Sequence, residues 1–158
     1  MTKYDWLLFV HVAGAFCFLS GAVMTGVVQL AAFRRERPSE LALLFNVNRV
    51  GVSLVGIGSL LALAFGIWLA EYLGYGVGDE WVVAAIALWA ASGVLGGIGG
   101  SRAKKARLLA QELARGGDRP SRELRRLVTD PVAAALNYGS GALLVAILVL
   151  MVWKPGAG

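Results

Sequence analysis

The chain has one cysteine and one histidine, and its longest apolar stretches carry no charge. Cys17 alone supports neither a disulfide framework nor a thiolate metal cluster. His11 alone rules out a bis-histidine site within one chain. There is no Ser-His-Asp set, no pair of catalytic carboxylates and no phosphate-cradling Walker loop, so hydrolytic and nucleotide-driven chemistry have no support. The glycine-rich run from Gly96 to Gly100 follows no strand and lies in an apolar segment, so it is not a nucleotide fingerprint. Charged residues make up only 16% of the chain against 58% hydrophobic, with a mean hydropathy of +0.68, a balance that belongs to a membrane protein. At 158 residues it is one domain, because four spans of roughly 20 residues each use over half of it. In a soluble chain 21 glycines would argue for disorder; here most fall inside apolar runs, where they let helices approach closely.

Four such runs predict membrane spans at about residues 6–33, 50–73, 81–100 and 131–153. Trp6, Trp68, Trp81 and Trp153 mark the start of the first, the end of the second, the start of the third and the end of the fourth. In a chain that crosses four times, those positions share one interface, where indoles prefer to sit. The first run is too long for a signal-peptide core and has only Lys3 before it, so it reads as a retained span. Basic residues orient the bundle. Arg34, Arg35, Arg37 and Arg49 lie in or beside the first connection, nine more lie between Arg102 and Arg126, and the second connection has only Glu71, Asp79 and Glu80. The expectation is an all-α, four-helix transmembrane bundle with both termini outside and both basic connections in the cytoplasm. The net charge of +5 then faces anionic lipids rather than nucleic acid.

The basic connection 101–130 has its own pattern. Ala106, Leu109 and Leu113 form a stripe that continues the third span as a helix, which Gly116-Gly117 ends. A second short amphipathic helix is expected after Ser121, with Leu124, Leu127 and Val128 on one face, and Asp130-Pro131 opens the fourth span. Arg37-Pro38-Ser39-Glu40-Leu41 echoes Arg119-Pro120-Ser121-Arg122-Glu123-Leu124, as two similarly oriented helical hairpins would, or as two copies of one helix-start signal.

An ionisable group within a span is costly and marks a candidate site. His11 shares a stripe with Gly14, Phe18, Gly21 and Thr25 that should face the bundle interior. A neutral imidazole there can ligate a haem iron or relay a proton. Met151, at the same level, or Cys17 is the available second ligand, unless the haem is five-coordinate or its site is completed across a dimer; Met24 is too deep. Metal binding by His11 with Glu71 and Asp79 is a further option without ligand spacing to support it. The structural alternative is His11 hydrogen-bonded to a neighbouring helix, paired with Glu71. A second polar cluster is expected from Gln29, Asn46, Asn48, Arg49 and Asn137, with Arg49 either holding a lipid phosphate or a propionate or simply snorkelling to the headgroups. Ser92, Gly93, Gly96, Gly97 and Gly100 give overlapping small-residue pairs suited to helix packing or homo-oligomerisation.

Several of these segments resemble a known family. They are the opening Tyr4 to Ala15, the Trp81 to Ala85 start of the third span, the Gly117-Asp118-Arg119-Pro120-Ser121 turn, Asp130-Pro131, and the ending Met151 to Gly156. Together they resemble the predicted bacterial integral membrane proteins of domain of unknown function 2269, in their actinobacterial form. That resemblance implies a four-helix inner-membrane protein and supplies no activity. The first-span histidine followed by glycine is also similar to the opening of the copper-resistance CopD proteins and the four-helix protoporphyrinogen oxidases, which implies haem or copper in the outer half of the bundle. Only His11 carries over from that pattern. The functional expectation is a protein that binds haem b through His11, with Met151, Cys17 and Arg49 as further contacts. The alternative is a non-catalytic membrane partner or small transporter in which His11 is structural.

Overall fold

Helix formation follows the apolar runs and overshoots them. The computed structural model describes residues 2–154; Pro155 and Gly156 of the closing motif lie outside the described residues. Five helices occur: α1 Lys3–Phe33, α2 Pro38–Tyr72, α3 Glu80–Arg115, α4 Arg122–Val128 and α5 Pro131–Trp153. No strand occurs among the described residues, and α1, α2, α3 and α5 are long and apolar enough to cross a membrane. The fold is therefore the expected all-α arrangement of four spanning helices. Helices of 31 to 36 residues extend about 46 to 54 Å, well beyond a hydrocarbon core of roughly 30 Å. Up-and-down connectivity gathers the starts of α1 and α3 and the ends of α2 and α5 at one end, here the tryptophan end. The other is the basic end.

The first connection is shorter than the sequence reading allowed. Residues 38–49, read as part of a loop before a span at Val50, are the first three turns of α2. They are helical because Leu41, Ala42 and Phe45 find a core. With Ala32 of α1, Ala106 and Ala110 of α3, and Leu124 and Val128 of α4, they form the largest buried cluster among the described residues. The Ala106, Leu109 and Leu113 stripe on the basic extension of α3 packs there, and so do Leu124, Leu127 and Val128 of α4. The best-packed part of the molecule thus lies at the basic end, while the spans turn Phe16, Val23, Ile57, Val94 and Val145 outward to lipid.

The connection between α3 and α5 also finishes the corner between α1 and α2. Neither α2 nor α4 has a side-chain cap of its own. The Ser39 backbone N–H and hydroxyl instead donate to Asp118, each at 2.7 Å. These bonds, from the hydroxyl first and the N–H second, hold the Asp118 carboxyl below its usual range. Asp118 sits at φ 55 just after Gly117 at φ +115, a left-handed step that aspartate tolerates better than most side chains. At the adjoining helix end, Arg125 Nη1 donates to the carbonyls of Phe33 at 2.9 Å and Arg35 at 3.3 Å, and Gln29 Nε2 donates to the Val128 carbonyl. An acid at a helix start and a base at a helix end suit the helix dipoles. Asp130 opens α5 by accepting from the Val132 N–H, as the sequence suggested, and pairs with Arg102 of α3. In the echoed segments Pro38 is the first residue of α2 whereas Pro120 precedes the N-terminal cap of α4, yet Leu41 and Leu124 meet in one core.

In the spans, α1 packs most extensively on α2, and α3 on α5, with a smaller α2–α3 contact joining the two hairpins. Gly14 and Gly21 on α1 meet Gly58 and Gly51 on α2 backbone to backbone. A Cβ on Gly58 would lie 2.4 Å from the Phe18 nitrogen, and one on Gly21 2.5 Å from the Gly51 carbonyl. The small residues of α3 divide. Ser92 hydrogen-bonds Ser140, and Gly99 receives Asn137, whereas Gly93, Gly97 and Gly100 have open space beside them.

Candidate functional site

His11 lies on the inner stripe of α1, and its ring rests against Gly66 of α2. A Cβ there would come within 2.9 Å of the imidazole, so only glycine admits the ring in this position. Nδ1 stands 2.8 Å from the Ala62 carbonyl. A carbonyl only accepts, so Nδ1 carries a proton, and in the neutral imidazole Nε2 then keeps the bare lone pair. The hydrogen bond to a neighbouring helix is thus present. The expected pairing with Glu71 is not: Glu71 is exposed and makes no hydrogen bond to His11. One turn of α2 between Ala62 and Gly66 satisfies the ring before any carboxylate is needed.

The imidazole borders a cavity of about 120 Å³, partly open, where the two hairpins stand apart. Phe18 of α1, Leu63 of α2, Trp81 and Trp89 of α3, and Leu144 and Met151 of α5 supply much of the wall. Its lining is mostly apolar with few placed polar groups, the composition of small-molecule sites. His11 and Met151, paired by sequence reasoning, line this one cavity. Cys17 is half-buried on α1 and is not among the lining residues. Arg49 is exposed about 20 Å along α2 from Ala62, too far for a propionate of a group held at His11.

The polar cluster expected around Arg49 does not assemble. Gln29 bonds Val128, Asn46 accepts from Gln111, Asn137 fits against Gly99, and Asn48 is buried with its Oδ1 unpartnered. Each serves a different helix contact, because residues on helices of different rotation need not converge. No group of three or more histidine, cysteine or acidic side chains suited to a metal ion occurs among the described residues, so His11, Glu71 and Asp79 form no such set.

Sequence reasoning missed the role of Trp81. Read as an interface marker, it is 7% exposed and lines the cavity, while Trp6, Trp68 and Trp153 stay 47–78% exposed. Its Nε1–H is buried without a partner, an uncommon and costly condition. The available signal was spacing: Trp81 and Trp89 are eight residues apart and share a helix face. Lys154 lies over the rings of Tyr75 and Trp81, with centroid distances of 5.2 and 5.7 Å, and Lys3 lies over Trp68 and Tyr72. Two cations therefore stand at the tryptophan end, and Lys154 is the one over a ring that lines the cavity. One imidazole, one thioether and aromatic walls thus meet at this cavity, with Lys154 over the Trp81 ring.

Residues 5–155 match the family described as predicted integral membrane protein, DUF2269. The chain belongs to this family. The match covers nearly all of α1 to α5, so the cavity and the basic-end core both fall within the DUF2269 region. No curated protein and no solved structure matches the chain.

Proposed function

We propose that this DUF2269 protein binds a b-type haem in the interhelical cavity, with His11 Nε2 on the iron. The observation that carries the reading is the Nδ1–H bond to Ala62, which holds Nε2 bare at an apolar cavity. Histidines that ligate metals are typically oriented by such a bond from the other ring nitrogen to a carbonyl. Met151 is the second ligand favoured by position, and Cys17 is left with no direct part. Lys154, rather than Arg49, is the cation placed to pair with a propionate. When bound, the haem supplies one-electron chemistry. The protein orients it, excludes water and sets its axial ligands. The likeness of the His11 segment to CopD-type openings points the same way.

Protein purified after expression with haem supply is expected to show a Soret band that His11→Ala abolishes and Met151→Ala shifts. A colourless preparation that also takes up no added haemin would refute the haem reading. The second reading is a non-catalytic membrane partner or small transporter in which His11 is structural. It is favoured by the same bond to Ala62, which ties α1 to α2. In that case His11→Ala lowers stability and changes no spectrum.

We further read the protein as an inner-membrane protein with its basic end in the cytoplasm and both termini outside, on the Lys and Arg asymmetry. In a Cys17→Ser background, Gly78→Cys should react with an impermeant maleimide on intact cells and Arg119→Cys should not. The opposite pattern would invert the topology. The open Gly93, Gly97 and Gly100 face of α3 supports a second copy packing there.

A further inference from the structure

A second groove, of about 200 Å³, lies at the basic end between the α1–α2 corner and α4. Leu41 and Leu124, each 1% exposed, form its floor with Pro120 beside them. Its charged residues are Arg35, Arg122 and Arg125 against the single carboxylate of Glu36. Three guanidinium groups face the lining carboxylate of Glu36, and Glu40 beside Arg35 leaves an excess of one positive charge. Arg125 uses Nη1 on the Phe33 and Arg35 carbonyls, and Arg35 reaches Glu40 at 3.4 Å. Arg122 is exposed and has no hydrogen bond or ion pair among the described residues. Each guanidinium carries five N–H donors, so most of the donors in this groove remain free.

We propose that this groove seats the phosphate of an anionic phospholipid, held chiefly by Arg35 and Arg122, with the glycerol region over the apolar floor. Guanidinium groups match phosphate oxygens in a two-point geometry. Pro120 argues for a lipid over a free anion, because it is an exposed apolar surface beside the guanidinium groups for which inorganic phosphate has no use. The position agrees: Arg35 lies two residues beyond Phe33, where α1 and the first apolar run end.

The full chain in detergent is titrated with phosphatidylglycerol and, separately, phosphatidylcholine, and bound lipid is read by native mass spectrometry. Phosphatidylglycerol should be retained preferentially, and Arg35→Ala and Arg122→Ala should each weaken it about fivefold. Lys105→Ala removes a basic charge outside the groove and should leave the affinity unchanged. Thermal melting establishes that each variant is folded. Folded Arg35 and Arg122 variants that retain full affinity would overturn the proposal. So would equal binding of the two lipids, or an equal loss in Lys105→Ala, which would mean a diffuse field. Displacement of the lipid by stoichiometric inorganic phosphate would overturn it in favour of a small-anion site.

Discussion

Leu124→Ala is expected to destabilise the protein by about 2–5 kcal/mol, the range for emptying a closed leucine site. Leu124 is 1% exposed in the cluster that joins α1, α2, α3 and α4, with Leu41 and Val128 equally buried. The spans have lipid to accommodate their outer faces, but this cluster has only its own side chains to fill the gap. Thermal unfolding in detergent, followed by circular dichroism, should show a drop of several degrees, at roughly 2–4 °C per kcal/mol for a chain of this size. Leu108→Ala is the control, since Leu108 is 50% exposed on the same extension of α3. Its cost should stay within about 0.5 kcal/mol. Equal melting of the two variants would show that the basic-end core does not stabilise the fold.

Gly58→Leu should separate the first hairpin. At this position even a Cβ meets backbone, 2.4 Å from the Phe18 nitrogen and 2.7 Å from the Gly14 carbonyl, and no side-chain rotation relieves it. Overpacking in a close-packed contact costs about 1–3 kcal/mol, and a rigid backbone neighbour places this case at or above the top of that range. The Ala62 carbonyl and Gly66 lie one and two turns further along α2, so displacing α2 also pulls the partner of His11 away. Gly93→Leu on the open face of α3 is the contrasting change and should leave the melting temperature of the single chain nearly unaltered. Cross-linking between cysteines introduced on α1 and α2 should fall in the Gly58 variant alone. Unchanged cross-linking would contradict the close contact.

The four spans were legible because each apolar run is long enough to need a membrane and charge is confined to their flanks. The inner stripe of α1 was legible too, since the spacing of His11, Gly14, Phe18 and Gly21 fixes a shared face whatever lies opposite. What faces that stripe was not. The partner of His11 is a backbone carbonyl, and side-chain pattern carries no trace of it. The start of α2 was hidden for a related reason. Residues 38–49 lack the apolar density of a span, and their helix depends on Leu124 and Val128, more than eighty residues away in places. Trp81 and Trp6 look alike in sequence, both being tryptophans at the start of an apolar run, yet one is buried and the other exposed. Only helix rotation separates them. Arg49 fell on the wrong side of the same limit: its level could be counted along α2, but its expected companions were assigned to one level without knowing which way each helix turns.

The capping of the α1–α2 corner sets an order on biogenesis. Ser39 and Phe33 emerge early from the ribosome, whereas Asp118 and Arg125, which complete the helix ends there, come 79 and 92 residues later. For that interval the nascent hairpin inserts with an open start on α2 and uncovered carbonyls on α1, served by water and headgroups alone. The first hairpin can pack through its own glycines, but its corner cannot mature until translation has passed α4, when the fourth crossing is about to begin.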